Sequence, residues 1–326
     1  MDTENWRDVA EEVRNWGRWG TDDELGTLNL IDAPAILRAA SLVRRGVVFP
    51  LGNAFDGDGP QGGNGFRRNP IHLMSFDGGD SSVDGARLGT TSNDKLIETM
   101  WQSPMRFNDD YIMMPLQACT QWDAIAHVYY DDQLYNGHPA GSVTSFGAAK
   151  NGIDKAAAAG GVVGRGVLID VARFRGVEHL EPRSLIYPGE LDEILASENI
   201  DLAKGDILMI RTGWWLDFER RHDGHAWAYE APGLSWKCAK WLHANYVAAV
   251  ASDNIAVEIV AEVEGVDLPL HMLALRDMGM MLGEMWNFEA LGEDCRQDGV
   301  YECMLVAPAI KFTGAVGSPL NPVAIK

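Results

Sequence analysis

The sequence predicts an α/β fold, on three observations. Apolar runs such as "VLIDV" and "ILMI" show little alternation, as expected of strands covered on both faces. Helical patterns with capping residues lie between them. No linker interrupts the alternation, so residues 1–326 read as one domain, within the size that a single core can fill.

Residues 1–50 read as an N-terminal helical extension. Within "IDAPAILRAASLVRRG", Asp32 is placed to cap, Pro34 sits in the first turn, and Gly46 ends the pattern. Ile36, Leu37, Ala40 and Val43 recur on one face. A long glycine-rich loop is expected over 53–95, either a functional cover or a surface insertion. Farther on, "GVVGRGVLIDVAR" reads as a strand, "PGELDEILASENI" as a helix and "GDILMIRTGW" as a strand. "LSWKCAKWLHANY" reads as a helix capped by Ser235. "VAAVASDN" is a short strand with Asp253 near its end, and "VYECMLVAPAIKF" a late strand.

The bulk numbers narrow the partners. With 46% hydrophobic and 23% charged residues, the chain has an ordinary globular composition. Its 27 Lys and Arg against 47 Asp and Glu leave a net charge of −20, which repels nucleic acid and anionic membranes. No run approaches the roughly 20 apolar residues of a membrane helix. The first residues lack the pattern of a signal peptide, and four scattered cysteines make no disulfide framework. A cytoplasmic protein acting on a small molecule is the expectation. Dinucleotide, Walker-type and Gly-x-Ser-x-Gly motifs are all missing.

The chemistry concentrates in "QACTQWDAIAH", residues 117–127. On an ideal helix, at about 100° per residue, Gln117 and Gln121 share one face and Asp123 and His127 another. All four converge only if the segment bends or leaves the helix. Asp123 and His127 suit a carboxylate that orients an imidazole for proton transfer near neutral pH. A local Asp–His hydrogen bond beside a core of Trp122, Ile125 and Val128 accounts for the same spacing.

The segment resembles the signature His-x-Gly-Thr-His-x-Asp-x-Pro-x-His of the bacterial kynurenine formamidase-like (isatin hydrolase-like) cyclase family of metal-dependent hydrolases. "WGTDDELGTLNLI", "GRGVLIDVAR", "GDILMIRTGWW", "LRDMGMMLGEMWNFEAL" and "TGAVGSPLNPVAIK" are similar to further blocks of that family. The resemblance implies a single swivelling β/β/α domain assembled as a homodimer or tetramer, with "MGMMLGEMW" serving as interface or core. It implies that His127 is the proton shuttle and Asp123 a metal ligand. It also places His271 and Glu284 near the residues that help hold a second metal.

Gln117 and Gln121 stand where the family has two metal-binding histidines; Cys119 replaces its glycine and Ile125 its proline. Amide oxygens are neutral, hard ligands, so the set favours manganese or magnesium over zinc, or no metal at all. Cys119 reads as a small buried residue rather than a nucleophile. His72, Trp101, Phe107 and Trp122 are candidate pocket residues around the motif.

The expected activity is hydrolysis of a C–N or C–O bond in a small cyclic or aryl amide, imide, lactam or ester. Two alternatives stay open. One is a metal-free lyase or dehydrating cyclase using Asp123 and His127 as an acid/base pair; the other is a non-catalytic small-molecule-binding member.

Overall fold

The computed structural model describes residues 4–61, 67–77 and 107–326. Its centre is a nine-stranded mixed sheet. In chain order the strands considered are β1 Val48–Pro50, β2 Ile71–Phe76, β3 Asp109–Met113, β4 Gln121–Asp123, β5 Val162–Asp170, β6 Ile207–Arg211, β7 Ala249–Ser252, β8 Met281–Glu284, β9 Glu302–Ala307, β10 Gly317–Pro319 and β11 Val323–Ile325. The sheet order is β1-β11-β9-β5-β6-β7-β8-β4-β10. β5, β6, β7 and β8 run parallel. Their apolar runs are buried on both faces, as the lack of alternation requires. β4 and β10 close the far side as antiparallel strands, and β9, β11 and β1 close the near side.

The crossovers follow the sequence pattern. Helix Pro188–Ser197 joins β5 to β6, and helix Cys238–Ala244 lies between β6 and β7. Ser235 does not cap the second helix, whose N-cap is Lys237: the Ser235 Oγ accepts from Lys237 N at 3.3 Å, before the helix begins, and donates to Glu262 at 2.6 Å. Two further helices on the β6–β7 crossover, Trp214–Arg221 and Gly224–Tyr229, are locked by reciprocal bonds. Trp214 Nε1 donates to Trp227 O at 2.9 Å and Trp227 Nε1 to Trp214 O at 2.7 Å.

Two further expectations need correction, and a third is narrowed. The helix capped by Asp32 spans Ala33–Ala40 and buries Ala35 and Ala39, whereas Ile36 and Leu37 are 41% and 70% exposed. Small residues face inward because the helix packs closely on β5 and the turn at Gly205. The 53–95 segment is not all loop, since β2 within it pairs with β3 as an antiparallel hairpin. Of the two roles open to "MGMMLGEMW", interface or core, burial selects core: Met278, Met280, Met281, Leu282, Met285 and Trp286 are all buried. Among the described residues no helix is long and apolar enough to cross a membrane.

Candidate active site

Residues 117–127 are not helical; β4 occupies their centre. Alternate side chains of a strand share a face, so Gln121 and Asp123 point one way and Trp122 the other. Trp122 is fully buried, donates Nε1 to Ala307 O at 2.9 Å and meets Trp286 edge-on with ring centroids 5.0 Å apart. It is core, not pocket wall. The β4–β8 register sets Glu284 directly opposite Gln121, and Gln121 Nε2 donates to Glu284 Oε2 at 2.5 Å.

His271 reaches the same place from the β7–β8 crossover, at the end of the short helical turn Pro269–His271. Glu258, wholly buried, accepts from Leu270 N at 2.7 Å and His271 N at 2.6 Å, satisfying the first amides of that turn. Its Oε1 also faces His271 Nδ1 at 2.7 Å, so Nδ1 carries a proton whether or not Nε2 does. Nε2 is thereby aimed at Glu284 Oε1, 3.1 Å away, and Asp123 Oδ2, 3.6 Å away. Glu258 itself follows a γ-turn in which its N–H donates to Ala256 O and Val257 has φ 58°. Left-handed backbone at a β-branched residue is strained and persists only where its surroundings enforce it. Here Asn254 Oδ1 accepts Val257 N at 2.7 Å, and Val257 O accepts Leu234 N at 2.9 Å.

His127 lies on the turn after β4, with its N–H on Ala124 O at 2.8 Å. Its Nε2 is 3.6 Å from Asp123 Oδ1 and 3.5 Å from Arg67 Nη2. Neither contact is short enough to commit the nitrogen. Gln117 is buried beside them. Gly317 faces Asp123 across the β4–β10 ladder, and a side chain there would strike the Gln117 amide. Thr120 is structural: its hydroxyl donates to Met285 O at 2.6 Å and accepts Asn53 N at 2.9 Å, tying β4 to the end of β8.

Charge in this cluster is unbalanced. Three fully buried carboxylates, Asp123, Glu258 and Glu284, surround one imidazole. Burial and then the charge of Asp123 push the Glu284 carboxyl up. Burial opposes ionisation of Asp123 too, but His127 and His271 outweigh it and hold that carboxyl below its usual value. Burial alone would lower His271, yet its bonds to Asp123, Glu258 and Glu284 carry it well above the ordinary imidazole range.

Asp123, His271 and Glu284 each offer one ligand atom, and these atoms lie within 4.8 Å of one another. Asp123 Oδ1 and Gln121 Oε1 are buried and have no hydrogen-bond partner among the described residues. Buried orphan oxygens are rare and call for an occupant. The set fits a divalent cation: two carboxylates and an imidazole oriented from behind by a carboxylate, with the Gln121 side chain on the same face of β4 as Asp123.

The cluster opens into a cleft of about 520 Å³. His127, His271, Glu284, Gln61 and Arg67 line it among the described residues, together with an apolar wall that includes Ile255, Val260 and Leu268. The other candidates fall elsewhere. His72 pairs with Asp110 at 2.6 Å on the exposed β2–β3 hairpin, and Phe107 packs on Phe76 with centroids 5.3 Å apart. Neither is among the residues lining the cleft. Trp101 lies outside the described residues. Cys119 is buried and its thiol is pushed up to about 11 by burial, which suits packing and not nucleophilic attack.

Sequence reasoning missed Glu258, Gln61 and Arg67. No local pattern marks them, because each is brought in by a long-range contact. The γ-turn beside Glu258 involves no glycine that would have drawn attention to it.

Residues 70–259 match a family model described as "Putative cyclase". The chain is 40% identical to a protein solved as a novel cyclase, over 96% of this chain and 100% of the other, with a TM-score of 0.84. Isatin hydrolase A from Labrenzia aggregata, solved with benzyl benzoate, shares the fold at 15% identity over 88% of this chain and 94% of its own, TM-score 0.58. A predicted metal-dependent hydrolase from Bacillus stearothermophilus aligns at 14% identity over 86% and 98%, TM-score 0.51. A comparison with curated proteins found no match.

Proposed function

The chain belongs to the cyclase family, and from that premise we propose that it is a cytoplasmic hydrolase of a small amide, imide, lactam or ester. One observation carries the reading: Asp123, His271 and Glu284 converge beside His127 at a single cleft. In the hydrolysis, a water oxygen bonds to the carbonyl carbon and the C–N or C–O bond breaks. His127 takes the proton released by the water at Nε2 and returns it to the departing nitrogen or oxygen. Asp123, 3.6 Å from Nε2, stabilises the imidazolium between these transfers. Arg67, 3.5 Å from the same nitrogen, is suited to the negative charge that develops on the carbonyl oxygen. A divalent cation held by Asp123, His271 and Glu284 would polarise the carbonyl and lower the pKa of water.

The test is a panel of aryl amides, lactams and esters assayed with chelator-stripped protein and after adding back manganese, magnesium or zinc. Cation-dependent release of the carboxylic acid supports the proposal. Full turnover after stripping would favour the metal-free acid/base reading instead.

The two glutamines bear on which cation is held. Gln121 is committed through its nitrogen to Glu284, leaving only its oxygen for a cation. The double variant Gln117→His, Gln121→His should therefore raise zinc affinity by more than tenfold, read by titration calorimetry. Unchanged zinc affinity would mean that these side chains do not address the Asp123 site.

We also propose a homodimer. The β2–β3 hairpin exposes Ile71, Leu73, Tyr111, Ile112 and Met113; among the described residues it is a sheet of two strands, a unit that holds together poorly in water by itself. Sedimentation at micromolar concentration should give twice the chain mass; a monomer would overturn the assignment.

A further inference from the structure

The cleft carries a cation that the hydrolytic mechanism above does not use. Arg183 lines it together with His225 and Tyr229, and hydrogen-bonds to none of Asp123, His127, His271 and Glu284. The chain has 47 acidic residues, and most of its described arginines lie in ion pairs with them. Arg183 has no carboxylate within ion-pair distance among the described residues; its bonds go to backbone carbonyls, Nη2 to Val260 O at 3.0 Å and Nη1 to Tyr229 O at 3.4 Å. Asp267 is the acidic residue that shares this lining with Glu284, and no ion pair joins it to Arg183.

The guanidinium is built into place. Arg183 adopts φ 56°, uncommon for a non-glycine residue, and its backbone N–H donates to Glu230 O at 2.7 Å. Two carbonyls from two elements then hold the exposed guanidinium at the cleft. A guanidinium has five N–H donors, so on this exposed side chain three face the solvent of the cleft and are open to a ligand. A carboxylate is the group whose two oxygens match that fork. Beside it, His225 stacks on Tyr229 with centroids 5.4 Å apart and planes at 20°, and the wall between is aliphatic.

We propose that Arg183 is the carboxylate anchor of this cleft, and that the substrate is an anionic one: an apolar or aromatic body bearing a carboxylate, with the scissile bond at His127. This rests on the hydrolase reading for the identity of the reacting bond, but not for the binding itself.

The experiment compares acetanilide with para-acetamidobenzoate, two probes of one shape that differ by the carboxylate, in calorimetric binding and in hydrolysis. The carboxylated probe should bind the unmodified protein roughly 10- to 100-fold tighter. Arg183→Gln should bring that ratio close to one, and Arg183→Lys, which keeps the charge and loses the fork, should restore part of it. A simple clamp between Tyr229 and Val260 would weaken both probes alike and leave the ratio unchanged, which would overturn the proposal. So would equal binding by the unmodified protein, a ratio that survives in Arg183→Gln, or no binding of either probe in the millimolar range. If the ratio behaves as expected while neither probe is hydrolysed, the anchor stands and the hydrolase reading fails for this amide.

Discussion

Replacing Asp123 by Asn is expected to abolish cation binding and turnover together. Asp123 is the residue that both halves of the site share: Oδ2 lies 3.6 Å from His271 and Oδ1 3.6 Å from His127. The substitution keeps the shape of the side chain while removing its charge, so burial and strand pairing are preserved. Cation affinity should fall by more than the roughly 10- to 100-fold that losing a carboxylate behind a ligating histidine costs. That second case is available in the same molecule as Glu258→Gln. Calorimetric titration of manganese and zinc into the unmodified protein and both variants gives the order. If Asp123→Asn binds cations as tightly as Glu258→Gln or turns over normally, the centre lies elsewhere.

His127→Ala should separate what Asp123→Asn joins. A general acid/base contributes roughly 10²- to 10⁴-fold, so turnover should drop by that factor. Cation affinity should stay within about twofold, because His127 is not in the Asp123, His271 and Glu284 set. Its side chain is 21% exposed and sits on a turn, which leaves the core intact. Near-normal turnover by the folded variant would remove His127 from the mechanism, and a parallel collapse of cation binding would make it a ligand instead.

The parts of this protein that could be read in the sequence are those governed by local chemistry. The parallel strands announced themselves because a strand buried on both faces has no polar positions, and "VLIDV" and "ILMI" contain almost none. Asp32 capped as its residue type requires. Apolar size does not mark the inward face of that helix, because its close approach to the sheet selects the small Ala35 and Ala39.

In the site, the spacing of Gln117, Gln121, Asp123 and His127 was visible, but their conformation was not. Eleven residues with mixed polarity fit a helix as well as a short strand between turns, and only pairing with β8 and β10 decides between them. His271 and Glu284 were reached through resemblance alone. Glu258 was invisible: thirteen positions before His271, it meets that residue only because a strained turn aims it there.

That turn also bears on how the protein can evolve. The stretch from Asn254 to Ala261 supplies Ile255, Ala256, Val260 and Ala261 to the cleft wall and carries Glu258 behind His271. Selectivity and the geometry of the chemistry are thus written into the same eight residues. An insertion or a bulkier side chain there would reshape the pocket and rotate His271 in one step, so drift in this loop meets resistance from both. The facing helix Gly224–Tyr229 contributes His225, Ala228 and Tyr229 to the cleft without touching the reacting cluster. New substrates are therefore expected to be acquired along that helix first, with the Glu258 loop held nearly constant.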